Sequence, residues 1–180
     1  LNLDKTTKFR AVIKSGSCSE AYSNEVTITT DPISFGGILS SDSTVCFGNH
    51  SGTLVLSEQI GNIIRWEKSS NNWSSITTIL NTAGSHDYID LEKTTKYRAV
   101  IKSGVCSEVF SSEATITVDP KSVGGTLSSS ASVCSGENSS LLTLTGNTGR
   151  IVRWQKTEGN WSDKTNLSNT TDGHGYSNLT

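Results

Sequence analysis

There is no methionine in this chain, there are only two prolines, and no apolar run is long enough to cross a membrane as a helix. An excess of charge of one sign is missing too. Lys and Arg number 15 against 17 Asp and Glu, a net −2 with His neutral. The basic footprint of a nucleic-acid binder is therefore absent, and nucleic acid is not expected as a partner. Hydrophobic residues reach only 33% and aromatics 7%, yet 16 glycines and abundant Ser, Thr and Asn punctuate short apolar runs. Those runs alternate regularly, which fits thin, turn-rich β domains better than disorder. No phosphate-binding loop, GxSxG elbow or HExxH motif occurs. There is no CxxC, and no His or Cys stands at zinc-ligand spacing. The chain is thus not expected to be an enzyme or to hold a metal or cofactor. A signal peptide is also missing, which carries no weight because the sequence opens inside a repeat.

What is present is repetition. KTTKFRAVIKSGSCSE, Lys5 to Glu20, returns as KTTKYRAVIKSGVCSE, Lys93 to Glu108, 88 residues later. The same shift carries Asp31-Pro32 to Asp119-Pro120, Gly36-Gly37 to Gly124-Gly125, Cys46 to Cys134 and Trp66 to Trp154. It also carries Trp73 to Trp161, His86 to His174 and Tyr88 to Tyr176. No gap is needed, and roughly half of the aligned positions are identical, so this is a tandem array. The period suits a small β-sandwich of about 100 residues. Asp-Pro followed by Gly-Gly marks the join, since Pro cannot donate to a sheet and Gly-Gly permits a bend. One complete repeat then runs over residues 33–120, residues 1–32 are the last strands of a preceding repeat, and residues 121–180 are the first strands of a following one. Each end by itself leaves open sheet edges and half a core. In a free chain these ends are expected either to complement one another between molecules or to stay disordered.

Alternation assigns the strands of the complete repeat. In KYRAVIK, Tyr97, Ala99 and Ile101 share one face, and Arg98, Val100 and Lys102 the other. ATITV turns Ala114, Ile116 and Val118 inward, and TLVLS points Leu54 and Leu56 one way. NIIRWEK is expected to place Ile64 and Trp66 in the core with Arg65 and Glu67 outside. GILS, a segment near Ile76 to Leu80 and HDYIDL before a turn at Glu92 to Thr95 complete about seven strands, as a sandwich needs. The expected core is Leu54, Leu56, Ile64, Trp66, Tyr97, Ile101 and Ile116.

Leu91, Thr95 and Tyr97 with the alternating residues after them resemble the tyrosine-corner segment of fibronectin type III and immunoglobulin-like domains, and Trp66 stands where such domains keep a core tryptophan. The pattern GGxLSS…VCxG…LxL…GxIxRWxK…NWS…YxxLxKTTKYRAVIKSGxCSE…TIT is similar to the tandem Ig-like repeats of very large Bacteroidetes cell-surface adhesins, in particular gliding-motility adhesins of the SprB kind. That resemblance covers the whole chain. It implies an all-β fold of tandem Ig-like or fibronectin III-like sandwiches, type IX secretion, an extracellular cell-surface location and adhesion to surfaces or polysaccharide. The partners it implies are neighbouring repeats of the same long chain and polysaccharide or abiotic surfaces.

Two cysteines recur per period, Cys46 with Cys106 in the complete repeat and Cys18 and Cys134 in its neighbours. A recurring pair favours disulfides and an oxidising setting. A within-repeat bridge between Cys46 and Cys106 would close a loop of about 60 residues. In an Ig-like order, however, the two lie at opposite poles, and Cys46 would instead meet the hairpin cysteine of the next repeat. Both pairings stay open at this point. Trp73 in NNWSS and Trp161 in GNWSD are candidate glycan contacts, weighed against the commoner role of an aromatic covering a sheet edge. His86 and Tyr88 share a strand face without a partnered nucleophile and read as packing. Acceptor triplets at Asn72, Asn160 and Asn166 arise easily in so Asn-, Ser- and Thr-rich a chain. The leading expectation is a spacer and multivalent adhesive segment of a surface filament. Its alternatives are a carbohydrate-binding accessory module of a secreted glycan-degrading enzyme and a passive stalk.

Overall fold

The structure, a computed structural model, describes residues 3–40, 42–48, 50–128, 130–136 and 138–178. The chain divides into two compact units, Leu1–Val118 and Asp119–Thr180. Among the described residues the only helical element is one 3-10 turn, Trp161–Asp163.

The first unit opens with four short strands, β1 (Thr7–Phe9), β2 (Val12–Ile13), β3 (Ala21–Tyr22) and β4 (Val26–Ile28). β1 pairs with β4 and β2 with β3, both antiparallel. The sandwich follows: β5 (Ile38–Leu39), β6 (Ser43–Cys46), β7 (Ser51–Ser57), β8 (Asn62–Ser69), β9 (Thr77–Ile79), β10 (Ser85–Ile89), β11 (Thr95–Lys102), β12 (Val109–Phe110) and β13 (Ala114–Asp119). One sheet has the order β10-β7-β5; the other runs β6-β13-β11-β8-β9, with β12 also on β11. Consecutive strands β5 and β6 thus belong to different sheets, and this is an Ig-like β-sandwich. β6 and β12 are the two strands that the seven-strand reading of the sequence lacked.

The core lies between the sheets. Leu39, Leu54, Leu56 and Tyr88 come from one side, and Ile63, Trp66, Tyr97, Ala99, Ile101, Ala114 and Ile116 from the other. Trp66 is fully buried, and its indole N–H donates to the Ala83 carbonyl at 3.1 Å, so the ring carries no unpaired donor inside. Burying each large apolar side chain contributes about 1.5–3 kcal/mol.

One expected core residue is misplaced in the sequence reading. Ile64 is 37% exposed, and Ile63 takes the core position at 8%. The cause is a break in register: Val100 stands opposite Arg65, but Ile101 stands opposite Ile63. Ile64 is the extra residue of a β-bulge, and a bulge reverses the alternation on one side of itself. Leu54, Leu56, Trp66, Tyr97, Ile101 and Ile116 are buried.

The second unit has β14 (Thr126–Leu127), β15 (Ser139–Thr145), β16 (Trp154–Lys156), β17 (Thr165–Leu167) and β18 (Gly173–Ser177). They form a sheet of order β14-β15-β18 and a separate pair β16-β17. These repeat β5, β7, β8, β9 and β10 at the 88-residue shift. Trp154 is buried and donates to the Thr171 carbonyl at 2.9 Å, as Trp66 does to Ala83.

Candidate interaction surface

The solvent-side face of the β8–β11 pair carries a connected set of charged and aromatic groups. Register decides who meets there: Arg98 stands opposite Glu67 and Val100 opposite Arg65, while on β12 Phe110 stands opposite Val100. All of these point away from the core, because the inward positions belong to Trp66, Ala99 and Ile101.

Glu67 is only 4% exposed although it faces outward. One carboxylate oxygen accepts from Arg65 Nε at 2.9 Å, and the other from Arg98 Nε at 2.9 Å and Nη2 at 2.8 Å. A buried carboxylate is tolerable only when paired and hydrogen-bonded in this manner. Arg65 also donates to Glu108 at 2.9 Å. The Glu108 bond chiefly, with a smaller one from Glu67, raises the Arg65 pKa against the opposing effect of desolvation.

Two rings shield this network. The Arg98 guanidinium lies 4.0 Å from the centroid of Trp73 and 3.7 Å from that of Phe110. Such stacking keeps the cation's π faces out of water while its edge reaches Glu67. Trp73 is held in place from two directions. Its indole N–H donates to Glu113 at 2.7 Å, and Glu113 pairs with Lys96 at 3.2 Å. Its backbone sits in a turn with φ of 53° at Asn72 and 66° at Trp73, a left-handed conformation that costs non-glycine residues energy. Hydrogen bonds offset the strain: Ser69 Oγ accepts from the backbone N–H of Asn71 and Trp73, and Asn71 Oδ1 accepts from Ser75 N.

The same parts recur elsewhere in the chain. Arg10 lies 4.1 Å from the ring of Tyr22, which takes the place of Phe110, and Lys8 pairs with Glu25 at 3.7 Å. In the second unit Arg153 stands for Arg65, Gln155 for Glu67 and Trp161 for Trp73. Trp161 is 62% exposed, whereas Trp73 is half-buried with one ring face taken by Arg98. In the complete repeat, then, the tryptophan singled out as a glycan contact covers a sheet face.

His86 packs inward, its ring 5.6 Å from Trp66 and 5.7 Å from Tyr97. Burial chiefly, then the charge of Lys68, lowers its pKa against a smaller opposing effect of Asp87. His174 stacks on Trp154 at 5.2 Å in the same way. His50, which does not recur, contacts the Cys46 carbonyl through Nδ1 at 2.6 Å. Asn138 occupies its place and donates to the Cys134 carbonyl at 2.6 Å, so one backbone contact is kept by two residue types.

The four cysteines are free thiols, and the expected within-repeat bridge between Cys46 and Cys106 is not formed. Geometry explains why Cys46 and Cys106 do not meet. The loop after Cys46 is tied to the segment that leads into β11, where Gly48 N–H donates to Leu91 O. Cys106 lies beyond the other end, its N–H bonded to Ser103 O and its thiol 3.4 Å from Pro32 O. The eight-residue β11 between them spans about 26 Å, far past the Cα separation of about 7 Å that a disulfide tolerates. Among the described residues no group of His, Cys, Asp or Glu could hold a metal ion, and no helix is long and apolar enough to cross a membrane.

A family model described as "Domain of unknown function (DUF8696)" matches three times in succession, over residues 1–32, 35–120 and 123–180. No curated protein matches. Among solved structures the chain is similar to the FN1-FN3 domains of chicken CNTN1, at 15% identity and a TM-score of 0.31. That similarity covers 96% of this chain and 65% of the CNTN1 chain.

Proposed function

Since the chain belongs to the DUF8696 family and carries it in three consecutive matches, we propose that it is a spacer and adhesive segment of a long extracellular filament. Tandem repetition is the observation that carries this reading. Joined end to end, such sandwiches add length without adding chemistry, and a weak contact made once per repeat is multiplied along the array. Linked weak sites can exceed single-site affinity by about 10²–10⁴ without a deep pocket. The outer face of β8, β11 and β12, with Glu67 locked between two arginines, suits contact with an extended polymer or a solid surface better than capture of a small molecule. We place the segment outside the cell, in the setting of gliding-motility adhesins delivered by type IX secretion, because the repeat pattern resembles theirs.

Beads carrying the chain at graded density, washed over polysaccharide-coated and bare surfaces, test the adhesive part. Retention that rises steeply with density and survives Trp73→Ala is the expected result. Absence of retention at every density would leave a passive stalk. Binding of the soluble monovalent chain to a glycan, abolished by Trp73→Ala, would replace this reading with a carbohydrate-binding module.

A further inference from the structure

Cys46 and Cys106 stand too far apart to bridge within the complete repeat, yet each is placed at a join between repeats. Cys106 belongs to the join in front. The turn that carries it is seated on Asp31-Pro32. Val105 N–H donates to Asp31 Oδ2 at 3.0 Å, and the Cys106 sulfur lies 3.8 Å from the Asp31 carbonyl oxygen and 3.4 Å from that of Pro32. Gly104, with φ of 47°, comes so close that a Cβ there would fall on the Asp31 carboxylate. Cys46 belongs to the join behind. It ends β6, which lies beside β13. Thr115 N–H donates to Asp42 Oδ1 at 2.6 Å, which fixes the start of β6 level with the start of β13. Beyond the other end of β6, Gly48 N–H donates to the Leu91 carbonyl in the segment leading into β11, where Thr94 Oγ1 accepts from Val118 N–H at 3.0 Å. The two strands therefore run in the same direction, and Cys46, four residues on from Asp42, lies level with the end of β13. β13 leads straight into Asp119-Pro120. Cys46 is exposed and Cys106 half-buried.

We infer that these thiols form a disulfide across each join, from the Cys46 position of one repeat to the Cys106 position of the next. The inference rests on the reading of the chain as part of a long extracellular array. The 88-residue shift carries Asp31-Pro32 to Asp119-Pro120. A hairpin seated there as residues 104–106 are seated on Asp31-Pro32 puts its sulfur against the two carbonyls that follow Val118. Two residues of chain span about 7 Å and neighbouring strands lie about 4.8 Å apart, so both sulfurs fall beside the same short stretch of backbone. Each join is then flanked by one thiol of each kind, which accounts for two cysteines per period, one at either pole. Bond formation passes two electrons and two protons from the paired thiols to the disulfide of an oxidoreductase, which leaves as a dithiol. The product is a second covalent connection beside the Asp-Pro backbone at every join.

Acid cleavage tests this on the full-length protein taken from source cells, with free thiols alkylated first. Both prolines of the chain follow aspartate, and mild acid cuts Asp-Pro bonds selectively, so it cuts the array at its joins. Without reductant the array is expected to keep its size on a denaturing gel after cleavage, and with reductant to fall to pieces of 88 residues. Collapse to such pieces without reductant would overturn the inference. Pieces of other lengths in the reduced sample would overturn the array reading and the inference with it. Two single substitutions fix the pairing. Cys46→Ser should let acid alone part the chain at Asp119-Pro120 while the Asp31-Pro32 join holds, and Cys106→Ser should do the reverse. Either variant parting at the other join, or at neither, would overturn the inference as well.

Discussion

At the scale of single residues, Glu67 and His86 show how ordinary positions acquire strong constraints. Glu67 is outward-facing yet buried because Arg65 and Arg98 clasp it and two rings close over Arg98. Replacing it by Ala leaves two arginines without their shared partner and should cost about 3 kcal/mol, read as a lowered urea midpoint. Glu67→Gln should cost less than half of that, since Gln is what the second unit carries at position 155 and the acceptor is kept. Titration at the core gives a second prediction. The His86 pKa lies below its ordinary 6.5, chiefly because of burial, so below that pH the unfolded chain takes up a proton that the folded chain refuses. Stability present above pH 6.5 should be lost as pH falls, and His86→Gln should flatten that limb. Tyr97 gives the opposite limb. Burial, and then the charge of Tyr88, push its pKa from 10.0 up to about 12. Stability should fall as pH rises through that interval, and Tyr97→Phe should remove the loss. Sequence made His86, Trp66 and Tyr97 legible as packing residues through their strand faces. It gave no sign of the Arg98 stack, because Trp73, Arg98 and Phe110 lie on three separate segments joined only by the fold.

At the scale of elements, alternation identified β7, β8, β10, β11 and β13 because each buries one face against the opposite sheet. It failed inside β8, where one added residue in the ladder exchanges the roles of Ile63 and Ile64. A bulge has no composition signal in NIIRWEK, since both isoleucines suit either side. The two substitutions separate the readings. Ile63→Ala should cost about 3 kcal/mol by opening a core cavity, and Ile64→Ala should stay within about 1 kcal/mol, both measured by chemical denaturation. The short strands β6 and β12 escaped notice because two to four residues carry too little alternation to count. Distance along β11 also separates the thiols: one hairpin strand places Cys46 and Cys106 at opposite ends of the repeat, a separation that residue spacing along the chain does not reveal.

At the scale of the whole molecule, the 88-residue period organises the structure and underlies the proposed use. It was fully legible in the sequence, because Lys5 to Glu20 and Lys93 to Glu108 differ at only a few positions. Repetition of one sandwich is what a spacer requires, and outer-face residues that return with the period, Arg10 for Arg98 and Arg153 for Arg65, are what a multivalent contact requires. The claim of a surface filament is tested most directly on living source cells. A fluorescent antibody fragment raised against residues 33–120 would be applied without permeabilisation and followed over time. Label on the cell surface, moving along it as the cells glide, is the predicted result. Antigen found only in the medium, or reached only after the cells are permeabilised, would contradict it.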